Sequence, residues 1–340
     1  MTKNEMKNLG FPLSVDVKRD MPAIGKGVFD SWYVISNFEA DGQKFAFEWH
    51  QQIVKLGVLG RIVAAEFVIT NATKDICKHN ALSVREGAKA GASCDKLHVW
   101  SAWGGLDGDE KQMRLKVQCQ TEGVDVVLTP TEQVLYNGTT GLIHFGSNDS
   151  YQFSFPIMKI EGTFTFEGKT YEIQNTTAWF DRQWGYHLSS KESVVKLGNK
   201  FQPSWLWLGM SLNEENTEVV SLWDAYVING HFGFATFLHE DGSQNNAVAE
   251  VTYEELYTSK RSGNRYPRII HIKVPQEELE LKLVSLVSDP EFYHEQMKSA
   301  GCQVLCRITG TYKGQPIEKD NVVELVNNVC GDAYKTEQAR

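Results

Sequence analysis

The sequence predicts an all-β protein built as two related halves. Three features point there: repeated strand-like runs, turn dipeptides that punctuate them, and an internal echo between residues 160–181 and 308–326. At 340 residues the chain is long for a single core, and two packed domains are the default.

Residues 32–38, 44–53, 62–70, 97–103, 112–119 and 124–130 are rich in β-branched or aromatic side chains between Gly, Asn or Asp, which reads as strand. Asp41-Gly42, Asp107-Gly108, Asn137-Gly138 and Asp241-Gly242 are turn pairs of the kind that join antiparallel strands. Residues 277–283 set Glu277, Leu279, Leu281 and Leu283 against Glu278, Glu280 and Lys282, an alternation that fits a strand. Residues 291–300 form the best helical candidate, and it is short.

The echo compares IEGTFTFEGKTYEIQNTTAWFD with ITGTYKGQPIEKDNVVELV. Both run I-x-G-T, an aromatic, a short glycine turn and a closing strand. Repetition at this separation implies a duplicated β-barrel or sandwich. The first copy would occupy residues 1–190 and the second residues 200–340, with the polar stretch at 188–202 as the boundary.

Composition is ordinary for a globular chain, with 41% hydrophobic and 23% charged residues. A net charge of -9 argues against a nucleic-acid partner, since phosphate binding needs a basic surface. The densest basic patch, Lys260, Arg261, Arg265 and Arg268, reads as a solvated loop. Nine Trp and 11% aromatics suit a pocket for an apolar ligand and equally suit β-sheet cores. Residues 1–10 are polar, with no apolar core of a signal peptide, and no run reaches the length of a membrane span. Cys77, Cys94, Cys119, Cys302, Cys306 and Cys330 are widely spaced. The one close pair, Cys302 and Cys306, has no second pair or nearby His for zinc, so a cytoplasmic chain with reduced thiols is expected.

The stretch richest in chemistry is residues 175–186, NTTAWFDRQWGY. As a strand it sends Trp179, Asp181 and Gln183 to one face and Phe180, Arg182 and Trp184 to the other. An aromatic-walled carboxylate sheds water and keeps its proton nearer neutral pH, as proton donation to an apolar substrate requires. The structural alternative is an Asp that caps a turn beside core indoles. In Phe45–Ala46–Phe47–Glu48–Trp49–His50, Glu48 and His50 share a face, as an acid/base pair or as a solvent-facing rim. If that face is inward they need partners, because burying a lone charge is costly. Tyr151 and Phe153 share a face in residues 151–156, either orienting a substrate or forming a core stripe. Trp205 and Trp207 open the second half, with Trp223 on the next strand; these indoles either cover a pocket mouth or cement the two halves.

No GxGxxG after a strand, GxxxxGK[ST], GxSxG or HExxH is present, and no His pair has zinc-ligand spacing. His144, His231, His239 and His271 stand alone. Neither a metal nor a cofactor is expected.

The W-F-D-R-Q-W-G segment, the I-x-G-T-F hairpin before it, W-L-W-L opening the second half and the I-x-G-T-Y…V-E-L ending together resemble the AttH-type lipocalin-like family. That group includes carotenoid 1,2-hydratases (hydroxyneurosporene synthases), kievitone-hydratase-like proteins and fungal decalin-forming Diels–Alderases. The resemblance spans about residues 25–330. It implies two packed lipocalin-like antiparallel barrels and, by analogy with the family's hydratases, Asp181 as the acid that protonates an isolated alkene. This chain has Arg182 where the family commonly has His after the Asp. It also has Tyr151 and Phe153, and no His, where carotenoid hydratases carry a His and Trp. Carotenoid hydration is therefore disfavoured.

The expected function is cofactor-independent acid catalysis on an apolar isoprenoid- or polyketide-like small molecule. Asp181 would protonate an alkene or enone; Glu48, His50 or Tyr151 would hold water; and Trp179, Gln183, Phe153, Trp184, Trp205, Trp207 and Trp223 would line the substrate. Hydration, isomerisation and cyclisation all remain open. The rivals are a pericyclase, which works by orienting a polyene, and a non-catalytic carrier, which has no use for an inward carboxylate.

Overall fold

The computed structural model describes residues 14–25, 27–55, 60–145, 148–185, 203–227, 230–294 and 299–329. The expected boundary at 188–202 lies outside them. Among the described residues strands dominate, with one short α-helix, α1 (Val17–Asp20), capped by the Asp16 side chain.

The first sheet opens with the long hairpins β1 (Phe29–Ala40), β2 (Gln43–Lys55), β3 (Arg61–Asn71) and β4 (Ile76–Arg85). Shorter strands follow: β5 (Gly91–Ala92), β6 (Leu97–Ser101), β7 (Gly104–Gly108), β8 (Met113–Cys119) and β9 (Glu122–Pro130). The sheet is completed by β10 (Leu135–Tyr136), β11 (Leu142–Phe145), β12 (Asn148–Phe166), β13 (Lys169–Ile173) and β14 (Thr177–Gly185). Its order is β4-β3-β2-β1-β14-β12-β9-β8-β7-β6-β5, with β10, β11 and β13 paired to β12.

The second sheet starts with β15 (Ser204–Ser211), β16 (Val219–Val227), β17 (Gly230–Leu238) and β18 (Gln244–Val248). It continues with β19 (Glu250–Thr258), β20 (Arg265–Val274), β21 (Leu279–Ser285) and β22 (Glu291–His294). The hairpin of β23 (Ser299–Tyr312) and β24 (Gln315–Val326) closes it. The order is β18-β17-β16-β15-β24-β23-β21-β20-β19.

The two orders match. In each sheet the last strand inserts between the first strand and the long strand before it, so β14 stands to β1 and β12 as β24 stands to β15 and β23. The echoed glycines do the same work in both copies. A Cβ on Gly162 would lie 2.2 Å from the Asp125 carbonyl oxygen, and one on Gly310 would lie 2.0 Å from that of Glu280. I-x-G-T therefore marks where the long strand runs too close to its neighbour for any side chain.

Each antiparallel sheet curls into a half-barrel around its own core. Phe45, Phe47, Trp49, Phe153, Phe164 and Phe180 fill the first; Leu206, Leu222, Phe237, Tyr266 and Leu281 belong to the second. A third apolar cluster joins them. It takes Tyr33, Ile35 and Trp179 from the first sheet and Trp207, Val219, Trp223, Leu305 and Val322 from the second. Side-chain alternation produces this arrangement, because a strand with apolar residues on both faces can serve two cores at once.

Two sequence expectations are corrected. Residues 291–300 are not helical where described: Glu291 to His294 pair with Cys302 to Ser299 as a hairpin. Glu291 is held by the Ser259 and Ser262 hydroxyls, and Phe292 stacks on His79 of the first sheet at 4.9 Å. These contacts with distant residues override a weak local helical preference. Asp107 and Gly108 end β7, pairing with Arg114 and Met113. The turn comes one residue later, where the Asp109 carboxylate accepts the Lys111 and Gln112 N–H groups.

Candidate functional site

Strand register assembles one row of polar residues across the first sheet. Ser154 faces Asp181 on β12 and β14, Asp181 faces Tyr33 on β14 and β1, Tyr33 faces His50 on β1 and β2, and His50 faces Glu66 on β2 and β3. Directly paired residues share a sheet face, so all five point toward the second half-barrel with Tyr33. One side-chain repeat along, Trp179, Ile35 and Glu48 form a second row on the same face. With strands about 4.8 Å apart, Asp181 and His50 stand about 10 Å from each other, with Tyr33 between them.

Asp181 is 6% exposed. Its Oδ1 accepts the Trp179 indole N–H at 2.7 Å and the Ser154 hydroxyl. Burial lifts the carboxyl from 3.8 to about 6, against the pull of hydrogen bonds from Ser154, Trp179 and Gln152. The side chain neither caps a turn nor pairs with Arg182. A chain of donors continues behind it into the other half. The Trp207 indole N–H donates to Ser221 Oγ at 3.2 Å, Ser221 donates to Asn137 Oδ1 at 2.6 Å, and the Asn137 amide donates to Ser154 Oγ at 3.1 Å. Ser154 is thus turned by the second sheet to give its own proton to Asp181.

The second half-barrel brings indoles and a further acid. Trp207 meets Tyr33 edge-on at 5.4 Å and Trp179 at 5.6 Å, and Trp223 lies 6.3 Å beyond. The Tyr33 hydroxyl donates to Gln303 Oε1 at 2.9 Å. Gln303 in turn donates to Glu324 Oε1 at 3.1 Å, and the Trp205 indole N–H donates to Glu324 Oε2 at 2.7 Å. Burial, reinforced by the charges of Glu66 and Asp181, raises Glu324 from 4.5 to about 7 against the Trp205 and Gln303 bonds. Burial and then the charges of Glu324, Glu48 and Asp181 hold the Tyr33 phenol well above its ordinary value.

Glu48 and His50 face inward. Glu48 is 1% exposed, and neither of its carboxylate oxygens has a hydrogen bond of good geometry. Burial first, then Glu66 and Glu324, push its carboxyl well above the usual range, with the Val68 backbone opposing. His50 Nε2 shares a hydrogen bond with the Ser31 hydroxyl at 2.7 Å, and its Nδ1 lies 3.9 Å from Glu48 Oε1. No metal is expected from linear spacing, which shows no His pair at zinc-ligand distance. The ligand atoms of Glu48, His50 and Glu66 all lie within 4.8 Å of one another, a grouping hidden from linear spacing because Glu66 comes from another strand.

Not every expected residue joins this face. Tyr151, Phe153 and Trp184 belong to the interior of the first half-barrel, because they alternate with Gln152, Ser154 and Asp181. Gln183 shares the Asp181 face and donates to Ser150 Oγ at 2.8 Å. Arg182 points the other way, 2.6 Å from Asp30 and over the Trp32 and Trp184 rings. A cleft of about 900 Å³ opens elsewhere between the halves, lined by Asn37, Asp41, Lys44, Tyr171, Lys319 and Asp320 among others; it does not include Asp181. The sequence reading missed Tyr33, Glu66, Ser154, Asn137, Gln303 and Glu324. Ser154 was within reach, since the alternation that puts Phe153 on one face puts Ser154 on the other.

A family model described as AttH-like matches residues 19–314. This chain belongs to the AttH-like family. Kievitone hydratase of Fusarium solani subsp. phaseoli is 23% identical over 222 residues, 63% of this chain and 60% of that protein. Dehydratase asqC of Emericella nidulans is 23% identical over 248 residues, 65% of this chain and 64% of that protein. The chain thus spans less than two thirds of the length of either relative. Among solved structures, an AttH-type protein from Nitrosomonas europaea superimposes with a TM-score of 0.78 at 17% identity, covering 93% of this chain and 98% of that one. Kievitone hydratase from Nectria haematococca gives 0.75 at 19%, covering 92% and 93%. These two structures share the AttH-like fold. Among the described residues, no helix is long and apolar enough to cross a membrane.

Proposed function

We propose that this AttH-like protein is a hydratase or dehydratase acting on an apolar small molecule, with Asp181 as the proton donor at the junction of the half-barrels. The observation that carries the reading is the Asp181 carboxyl, buried between an indole N–H and a hydroxyl and protonated up to about pH 6. In the hydration direction its proton passes to one carbon of an alkene or enone. Water bonds to the other carbon, and the proton that water sheds goes to Glu324 before returning through solvent. Trp179 and Trp207 face the developing cation, each ring contributing about 0.5–2 kcal/mol. Dehydration runs the same steps backward. The hydratase and dehydratase names of the two relatives support this class, and an isoprenoid- or polyketide-like skeleton suits the aromatic walls. In the same reading the halves divide into domains near residues 190–200.

The test is turnover of alkene-bearing candidates in deuterated water by wild type and Asp181→Asn. Solvent deuterium on carbon in the wild-type product, lost in the variant, is expected. Product without deuterium would favour a pericyclic reaction, and tight binding without turnover would favour a carrier.

A further inference from the structure

The inward face of β2 and β3 presents a problem that Asp181 chemistry does not solve. Glu48 is wholly buried at its side chain, yet neither carboxylate oxygen has a hydrogen bond of good geometry; only the Val68 backbone approaches it. A buried polar group in that condition is costly, and a buried charge more so. Protonation removes the charge, but as placed the O–H has no acceptor within hydrogen-bond reach, His50 Nδ1 lying 3.9 Å away. The surroundings add to the cost: the charges of Glu66 and Glu324 both act on Glu48.

The same face supplies the other parts of a cation site. Glu66, 5% exposed, stands opposite His50, and one ligand atom from each of Glu48, His50 and Glu66 falls within 4.8 Å of the others. The His50 ring is already oriented, since its Nε2 is engaged by the Ser31 hydroxyl at 2.7 Å. Nδ1 faces Glu48, 3.9 Å from its Oε1. A ligating imidazole is typically fixed in this way through its other nitrogen. Ions bonded at about 2.0–2.2 Å bridge donors up to about 4 Å apart, so small side-chain adjustments complete the set.

We propose that Glu48, His50 and Glu66 bind one divalent first-row transition ion at the junction of the two half-barrels. Two carboxylates and one imidazole suit zinc or manganese, and the ion's two positive charges match the two carboxylates. It engages both Glu48 oxygens and neutralises the charge at once, where a proton would do only the second. The three ligands come from two adjacent, paired strands, so their backbones are held in place before the ion arrives. The inference rests on this geometry and not on the reaction proposed above.

The experiment uses the full chain, stripped with chelator and titrated calorimetrically with zinc chloride, with cobalt(II) absorption as a spectroscopic reading of the ligand set. One equivalent of zinc per chain is expected, with affinity reduced at least tenfold in Glu48→Gln and in His50→Gln. Zinc should raise the thermal transition of wild type and leave that of Glu48→Gln in place. Asp181→Asn should lose turnover but bind zinc within twofold of wild type, so the two proposals fail separately. Absence of stoichiometric binding, or wild-type affinity in Glu48→Gln, would overturn the site. If Glu48→Gln does not fold, His50→Gln takes its place in the titration, and wild-type affinity there overturns the site in the same way.

Discussion

Glu324 holds in the second sheet the place that Asp181 holds in the first. Each sits on the strand inserted beside its half-barrel's first strand: Asp181 faces Tyr33 on β1, and Glu324 faces Trp207 on β15. Each is met by an indole N–H at 2.7 Å, from Trp179 and Trp205 respectively. Each also accepts a bond from the residue directly opposite on the long strand, Ser154 for Asp181 and Gln303 for Glu324. Duplication has therefore placed two buried acids at one junction. Burial raises both, Asp181 to about 6 and Glu324 to about 7, so the two carboxyls titrate close together and either can hold a proton that the other lacks. Replacing Glu324 with Gln keeps the shape and removes the proton acceptor. Steady-state kinetics should show kcat lowered at least tenfold, with KM within about threefold. An unchanged kcat would remove Glu324 from the reaction.

The two acids also set how stability depends on pH. A carboxyl raised in the fold keeps its proton where the unfolded chain has lost it, so the native state binds more protons and stability falls as pH rises. For Asp181 that fall runs from about pH 4 to 6, and for Glu324 from about 4.5 to 7. Raising Asp181 from 3.8 to about 6 corresponds to a cost on the order of 3 kcal/mol at pH 8. Asp181→Asn should thus be more stable than wild type at pH 8, similar to it at pH 4, and slower in turnover by at least 100-fold. Urea unfolding at several pH values checks the first two statements. A variant less stable at pH 8 would show that the Asp181 hydrogen bonds outweigh its burial.

Gly209 on β15 is where the second half-barrel makes room for the acid's indole. A Cβ there would lie 2.7 Å from both the Trp179 and Trp207 rings. Gly209→Ala therefore pushes the indole that donates to Asp181. The expected result is a loss of about 1–3 kcal/mol from overpacking, with kcat reduced about tenfold and a shifted pH limb. Activity equal to wild type would mean that Trp179 does not position Asp181.

Much of this was legible in the sequence because strands encode faces by simple alternation. Trp179 and Asp181 on one face, Arg182 and Trp184 on the other, and the duplication itself follow from spacing. The junction was less so. Tyr33 reaches Gln303 across 270 residues, and Glu66 meets His50 only through sheet pairing, relationships that no local window contains. Counting Trp184 among the substrate-lining residues goes against the alternation that sends it to the face opposite Asp181, and residues 151–156 alone do not say which core Tyr151 and Phe153 enter. Residues 291–300 read as helix because a short segment's pairing with a distant strand leaves little local trace.

Arg182 follows Asp181 on β14, and the fold explains its cost and its use. The side chain is completely buried. It donates to the carbonyls of Asp20, Pro22, Ser31 and Gln183 and pairs with Asp30 at 2.6 Å. One guanidinium fork thus ties the segment around α1 to β1 and β14, behind the strand that carries Asp181. Arg182→Met leaves Asp30 buried with Arg61 at 3.3 Å and the Ile24 N–H as remaining partners. The expected destabilisation is about 3–5 kcal/mol. Arg182→Lys recovers only part of it, since an ammonium cannot reach the same spread of acceptors. Urea midpoints measure both. A Met variant within about 1 kcal/mol of wild type would show that packing on Trp32 and Trp184, rather than the ion pair and its carbonyl bonds, holds this strand in place.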